Sequence, residues 1–280
     1  MTEQGKPNKI QTPAAVRKFQ KEIYSHYHEH GRDLPWRETG DPYCILVSEI
    51  MLQQTQVQRV LEKYDKFIKQ FPDFPSLARA PLQKILSQWQ GLGYNRRAMA
   101  LKQIAQKVVN EFNGTLPSSG ETLTTFPGIG KATAGAVTAF AYHQPAVFIE
   151  TNIRRVYIHL FFKDRGDIRD TEILPIVQKT LDTSNPREWY YALMDYGVMI
   201  KGKYENPNRR SAHYNKQPPF EGSNRQIRGM ILRLLIQESA VSEHEIVQKI
   251  NKDEGKTGNI LVQLVNEGFI KKGGGKFSLT

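Results

Sequence analysis

The chain has 280 residues, 39% hydrophobic and 24% charged, with 39 Lys and Arg against 28 Asp and Glu and a net charge of +11. That size and balance suit one large folded domain, or one large and one small, and the basic excess favours a polyanionic partner, nucleic acid ahead of an anionic membrane surface. No run of about 18 apolar residues and no basic-then-apolar leader is present, and the single cysteine, Cys44, excludes an internal disulfide, a four-cysteine iron–sulfur cluster and a cysteine-based zinc finger, so a protein of a reducing interior with no membrane span is expected.

In chain order, residues 1–11 are polar and expected to be loose. A helix follows from Pro13 to about His30, with Phe19, Ile23, Tyr24 and Tyr27 on one face. Gly31 to Pro42 is turn-rich, and Trp36 within it suits either a core anchor or a surface platform. Tyr43 to Phe71 reads as two helices. In the first, Ile45, Leu46, Ile50 and Met51 form an apolar side that surrounds Glu49, and Gln53, Gln54 and Thr55 follow closely. A glutamate in such company is either solvated or has a raised pKa and a job. Residues 72–112 read as helix, Gly-rich turn, helix. The turn Gly91-Leu92-Gly93-Tyr94-Asn95-Arg96-Arg97 sets an aromatic beside two arginines, a cluster able to stack a base and hold phosphates.

Thr124 to Glu150 organises the chain. A short helix ends near Phe126, a Pro-Gly-Ile-Gly turn follows, and a small-residue helix runs from Lys131 to about Tyr142. Gly128 and Gly130 suit positive φ and close backbone approach, and the turn feeds amides into a helix N-terminus that favours an anion such as phosphate. An ordinary helical hairpin packed through Ala132, Ala134, Gly135 and Ala136 is the competing reading. An extended segment, Ala146 to Ile149, then delivers Glu150. Beyond it come a helix with Arg154 and Arg155 near its start, a helix from Asp170 to Leu181, and an aromatic-rich helix from Pro186 to Met199. Residues 201–222 are basic and irregular and mark a boundary. The last 58 residues hold a helix from Arg225 to Glu238, a capping box at Ser242–Glu245, a third helix from Lys256 to Asn266, and a Phe269–Leu279 stretch that alternates around a Gly turn as a β-hairpin does. Three helices and a hairpin are the pattern of a winged helix, which serves either as a DNA-binding or as a protein-docking unit.

LPWR at 34–37, SEIMLQQTQV at 48–57, WQGLGYNRRA at 89–98, FPGIGKATAGAV at 126–137 and MDYG at 194–197 together resemble the helix–hairpin–helix base-excision glycosylases of the endonuclease III superfamily. Within it the closest resemblance is to the adenine DNA glycosylase (MutY) branch, over roughly residues 12 to 200. The resemblance implies a mainly α fold of two helical subdomains with the active-site cleft between them, one from about 40–145 and the other from 12–36 and 150–220. Residues 1–222 would then form the glycosylase domain and 223–280 a winged-helix-like module.

The resemblance also implies roles. Glu49 is similar to the general acid that protonates the departing adenine at N7, which turns a poor anionic leaving group into a neutral one. Glu150 falls where the family carries a catalytic aspartate that stabilises or captures the oxocarbenium-like sugar, and Asn152 follows in this branch's motif. Gln54, Thr55, Leu92 and Tyr94 match positions that read or wedge beside the oxidised guanine opposite the adenine; Gln53, Arg96, Ile129, Lys131 and Asn152 join them as expected DNA contacts. Gly128 and Gly130 match a hairpin whose amides bind a phosphate, commonly through a monovalent cation, K⁺ or Na⁺, with no side-chain metal ligand. The implied partner is double-stranded DNA with a mismatch or an oxidised base, bound by a monomer with no membrane, in a prokaryotic cytoplasm at the nucleoid.

The departures from the pattern are specific. Glu150 is one methylene longer than the family's aspartate, a displacement of about 1 Å unless the site readjusts. The iron–sulfur loop that usually follows MDYG has no cysteine here, so no cluster and no other cofactor is expected; Lys201, Lys203, Arg209, Arg210 and Lys216 of that stretch are candidate DNA contacts instead. Ala132 stands at the Schiff-base lysine position of the bifunctional branch, so a monofunctional glycosylase without efficient lyase activity is expected. A winged-helix-like module stands where the adenine branch has its nudix-like reader of 8-oxoguanine. Adenine opposite 8-oxoguanine or guanine is the leading substrate; uracil or thymine in mismatches, and a non-catalytic DNA-binding protein on the same scaffold, are the alternatives.

Overall fold

The structure is a computed structural model that describes residues 12–280; the expectation for residues 1–11 lies outside the described residues. Helix α1, Pro13–His30, begins where the Thr12 hydroxyl accepts from the Ala15 amide and proline occupies the first turn. The turn-rich stretch after it contains a short helix, α2 (Pro35–Glu38), and Trp36 is buried there, a core anchor and not a surface platform. Helices α3 (Pro42–Leu52) and α4 (Val57–Gln70) follow. The single helix expected before the Gly-rich turn is two, α5 (Phe74–Arg79) and α6 (Leu82–Trp89), because Pro81 drives Ala80 into extended backbone.

Then come α7 (Arg96–Glu111), α8 (Gly120–Thr124), α9 (Lys131–Tyr142), α10 (Thr151–Phe161), α11 (Asp170–Thr180) and α12 (Pro186–Lys203). The basic stretch expected to be irregular contains a 3₁₀ turn at Pro207–Arg210. The last segment runs α13 (Asn224–Gln237), β1 (Val241–Ser242), α14 (Glu243–Ile250), α15 (Glu254–Asn266), β2 (Ile270–Gly273) and β3 (Lys276–Leu279). Its hairpin gains a third strand: β1 pairs antiparallel with β3, and the sheet order is β1-β3-β2. Among the described residues no helix is long and apolar enough to cross a membrane.

The chain forms two compact units. The first holds the residues through Ile45 with Ser118–Thr125 and Ile129–Lys216. Its core is aromatic: Phe19 of α1 meets Tyr157, Phe161 and Trp189 edge-on at 5.4–5.8 Å between ring centres. Gly135 on α9 leaves room for Phe148, whose ring a Cβ there would meet at 2.7 Å. That close approach, and a bond from the Tyr190 hydroxyl to the Ala146 carbonyl, seat the extended segment that carries Glu150.

The second unit holds Leu46–Pro117, Phe126–Gly128 and Gln217–Thr280. Phe67 packs edge-on against Trp89 in its core at 5.8 Å. The C-terminal segment is built onto this unit: α13 packs on α6, the Gln83 amide donates to the Ile236 carbonyl at 3.0 Å, and Glu267 pairs with Arg96 at 2.6 Å and with Arg228.

Candidate functional site

In the second unit, Glu49 lies on α3 with Ile45, Leu46, Val47, Ile50 and Met51 buried around it, and is itself only half-buried. Helix α3 stops at Leu52, and Gln54 takes left-handed backbone at φ 53°. The Gln53 side chain donates to the Gly128 carbonyl at 3.1 Å, which ties the end of α3 to the glycine hairpin turn.

The turn after α6 needs its glycines. Gly91 and Gly93 sit at φ 94° and 71°, and Tyr94 joins them at 48°. Arg97 explains how this turn holds. It is buried, not poised for phosphate: one terminal nitrogen donates to the Ile50, Met51 and Gln53 carbonyls at 2.6–3.0 Å. The other donates to the Leu92 and Gly93 carbonyls, both at 3.1 Å, and to the Thr55 hydroxyl at 2.9 Å. A cation at the carbonyl end of α3 satisfies groups that a helix C-terminus leaves unpaired, and burial lowers its pKa to about 10. The expectation that both arginines of the cluster meet phosphate is corrected at Arg97. Arg96 is exposed, with its guanidinium on Glu267. Leu92 is buried, at 3% exposure, while Gln54 is exposed and Tyr94 half-buried.

In the hairpin, Gly128 has φ 75°, and a Cβ there would stand 3.0 Å from that of Ala100. Gly130 is corrected: its φ is −89°, so it is not required for positive φ. It is the N-cap of α9 and supplies no side chain to that helix end, and Lys131 beside it is exposed. Ile129 is buried. An uncapped N-terminus following an open glycine turn is the arrangement that accepts an anion.

In the first unit, Glu150 is the N-cap of α10. Its Oε1 accepts from the Asn152 amide at 2.6 Å and the Ile153 amide at 2.8 Å, and its Oε2 from the Asn152 side chain at 3.2 Å. The extra methylene therefore folds the carboxylate back onto its own helix end, where a shorter aspartate commonly sits. Burial pushes the carboxyl above its ordinary value; the two amides, Arg155 and Arg154 pull against this without overcoming it. Asn152 is in turn oriented by the buried Arg155, which donates to its Oδ1 at 2.6 Å and to the Gly197 carbonyl at 2.8 Å. Gly197 of the MDYG run has a reason to be glycine: a Cβ there would lie 2.5 Å from the Asn152 carbonyl. The sequence motif contained it, but only the packing of α10 on α12 gives it a role.

The stretch after α12 is held by polar ties. Asn208 donates to the Thr151 carbonyl at 2.9 Å, and Arg155 reaches Asn206 at 3.3 Å. Ile168 and Ser211 form a β-bridge. Arg210, expected as a DNA contact, instead caps α10 through the Phe162 and Ile158 carbonyls, a second correction of the same physical kind as Arg97. Arg209 pairs with Glu205 at 2.8 Å. One cysteine cannot ligate a four-thiolate cluster, and among the described residues no group of three or more His, Cys, Asp or Glu could hold a metal ion.

Residues 47–174 match the model of the HhH-GPD superfamily of base excision DNA repair proteins. The adenine DNA glycosylase of Mycolicibacterium smegmatis is 31% identical over 278 residues, covering 92% of this chain and 94% of the relative. That of Buchnera aphidicola subsp. Baizongia pistaciae is 38% identical over 187 residues, 65% of this chain and 52% of the relative. The chain thus spans about half or less of the length of the first curated relatives it matches. Among solved structures, that of a thermostable thymine-DNA glycosylase aligns with TM-score 0.60 at 27% identity, covering 69% of this chain and 90% of the other. A non-covalent endonuclease III–DNA complex aligns with TM-score 0.56 at 16% identity, covering 67% and 86%, and shares the fold.

Proposed function

This chain belongs to the HhH-GPD superfamily of base excision DNA repair proteins, and from that premise we propose that it is a monofunctional DNA N-glycosylase that removes adenine opposite 8-oxoguanine or guanine. The reading gives two carboxylates separate roles. Glu49, on an apolar turn of α3, donates the proton that lets the adenine leave neutral. Glu150 answers the positive charge that develops on the sugar. The observation that carries the reading is the Glu150 carboxylate, held by two backbone amides and Asn152 despite its added methylene. A desolvated carboxylate is stabilised by a nearby cation more than a hydrated one is, so the burial that raises its pKa makes it a better partner for an oxocarbenium-like sugar.

Gln54, Thr55, Leu92 and Tyr94 face the base opposite the adenine, and the hairpin from Gly128 to Lys131 offers its backbone to a phosphate, where a K⁺ or Na⁺ held by the turn would supply positive charge. Ala132 leaves no amine for a Schiff base at the position the lyase branch uses, so water completes the reaction. The protein works as a monomer on duplex DNA and without an iron–sulfur cluster.

Thymine or uracil opposite guanine is the second reading, favoured by the likeness to the thymine-DNA glycosylase structure. Single-turnover base release decides between them. Duplexes carrying A opposite 8-oxoguanine, A opposite G, T opposite G and U opposite G are each mixed with excess protein. The proposal expects adenine release with no strand break until alkali is added, and loss of release in Glu150→Gln. Release of thymine or uracil alone favours the second reading, and no release from any duplex removes both.

A further inference from the structure

Helix α15 buries Thr257, Ile260, Leu261 and Leu264 and leaves its opposite face bare. That face carries Gly255, Asn259, Val262 and Asn266 at steps of three or four residues, with Lys256 and Gln263 along one edge. Val262 stands in its middle at 60% exposure. Among the described residues no side-chain hydrogen bond or ion pair engages Lys256, Asn259, Gln263 or Asn266. Gly255 and Gly258 weaken a helix relative to alanine, and packing does not demand them. A Cβ at either would meet a carboxylate oxygen at an ordinary contact distance, Asp253 at 3.6 Å and Glu243 at 3.4 Å. A face of amides, valine and glycine lets another surface come close to the helix backbone.

The charge around this face selects its partner. A cavity of about 370 Å³ opens on it, lined by Lys256, Asn259, Val262, Gln263 and by Asn224 of α13. Asn224, Ile260 and Gln263 also line a larger cavity, about 920 Å³, whose far wall is the turns after α3 and α6. The two therefore make one groove from α15 to Gln54 and Tyr94. The C-terminal segment is tied to those turns: Gln217 donates to the Gln54 side-chain carbonyl at 3.2 Å, and Arg225 to the Tyr94 hydroxyl at 3.0 Å. No carboxylate lines either cavity. Arg59 and Arg233 line the larger one, both exposed and outside any ion pair among the described residues. The acids at the ends of α15 are engaged or turned aside. Asp253 accepts from the Lys256 amide at 2.7 Å, and Glu267 pairs with Arg96 and Arg228. Glu254 shares the Val265 edge of the helix, away from Lys256 and Gln263. A docked protein would need a contiguous apolar patch, and Val262 and Val265 supply little of one. A groove with free cations and no acid, in a chain of net charge +11, fits a polyanion.

We propose that the bare face of α15 is a second DNA contact, seated in the major groove of the duplex beyond the base pair read by Gln54 and Tyr94. Asn259 and Gln263 meet base edges, Val262 meets thymine methyls, and Lys256, Arg59 and Arg233 meet phosphates. The major groove, about 12 Å wide, admits one helix; side-chain amides match N6 and N7 of adenine, and an apolar side chain matches the methyl of thymine. The inference rests on the reading of the chain as a DNA glycosylase, but its test needs no turnover.

The probe is a labelled duplex with a stable tetrahydrofuran abasic analogue opposite G, bound by the full chain and followed by anisotropy. The arm on each side of the analogue is cut in turn from about 15 to about 5 base pairs, a loss of one helical turn. Wild type is expected to lose about tenfold in affinity when one particular arm is cut and little when the other is. Asn259→Ala with Gln263→Ala, and separately Val262→Glu, change only exposed positions. Each is expected to weaken binding to the long duplex about tenfold, and to leave binding to the duplex that lacks that arm unchanged, with unchanged circular dichroism. Lys256→Ala should flatten the salt slope on the long duplex by about 0.9. Adenines of that arm replaced by 7-deazaadenine, which lacks the N7 acceptor, should weaken wild type and not the double variant. A wild-type affinity indifferent to both arms overturns the proposal. So do folded variants that bind the long duplex like wild type, a result that leaves the face to a protein partner. Arm dependence lost in the variants of a chain that releases no base would keep this contact and sink the glycosylase reading; base release without arm dependence would do the reverse.

Discussion

The proposed reading gives Glu49 and Glu150 opposite duties, and each duty has its own test. With Glu49 as the proposed proton donor, Glu49→Gln is expected to slow adenine release by about 10²–10⁴ while duplex affinity stays within a few-fold. Parallel loss of affinity would make Glu49 a structural residue. The role proposed for Glu150 needs a negative charge where burial disfavours one. Burial raises its carboxyl above the ordinary 4.5, so the folded chain holds that proton more tightly than the unfolded one. Stability therefore falls as pH rises from the unfolded value through the raised one, and glutamine escapes this loss. Glu150→Gln should melt above wild type near neutral pH, with the gap closing on acidification toward about pH 4, although it releases no base. A melting temperature below wild type at neutral pH would show that the cap outweighs the burial.

At the scale of the element, each unit has one helix junction on which a proposed residue depends. Helix α10 starts at Glu150 and crosses α12 where Gly197 lets the Asn152 carbonyl approach. Gly197→Ala would push a Cβ to 2.5 Å from that carbonyl, so the first turn of α10 must move. A shift of order 1 Å at Glu150 should cost about 10²-fold in single-turnover rate, with the chain still folded by circular dichroism. The other junction is Arg97, whose six bonds join the end of α3 to the turn after α6. Arg97→Met leaves those carbonyls unpaired in a buried place and should lower unfolding free energy by about 3 kcal/mol or more in urea titration. A loss below about 1 kcal/mol would mean that water reaches them.

For the whole molecule, the question is what the C-terminal segment does. Its lysines, Lys256, Lys271, Lys272 and Lys276, invite a reading as a detachable DNA anchor whose loss would leave the chemistry intact, although Lys272 already faces Glu243 at 3.8 Å. Packing argues for more. The segment from Gln217 shares a compact unit with Leu46–Pro117, buries Ile227, Ile231, Leu232 and Leu235, and holds Arg96 through Glu267. Removal of residues 217–280 should expose the α6 face that α13 covers, lower the melting temperature and promote aggregation. A monodisperse truncated protein that melts like the full chain and keeps its single-turnover rate would restore the anchor reading.

The sequence by itself determined most of the helices, the capping box at Ser242 and the order of the motifs, because periodicity, prolines and capping residues act within a few positions of where they stand. Pro13–His30 and Lys131–Tyr142 come out at their expected bounds for that reason. It also placed a carboxylate at residues 49 and 150, since a motif with its spacing is a local object. Only the tertiary structure decided which charged groups are already committed. Arg97 and Arg210 look like free cations in the sequence and are caps for carbonyls of helices that end elsewhere in the chain. Gly197 looks like any helical glycine until Asn152 is packed on it. Gln217 and Arg225 lie 163 and 131 positions from the residues they hold, Gln54 and Tyr94. A side chain's partner across such a separation is set by packing, and no pattern along the chain encodes it.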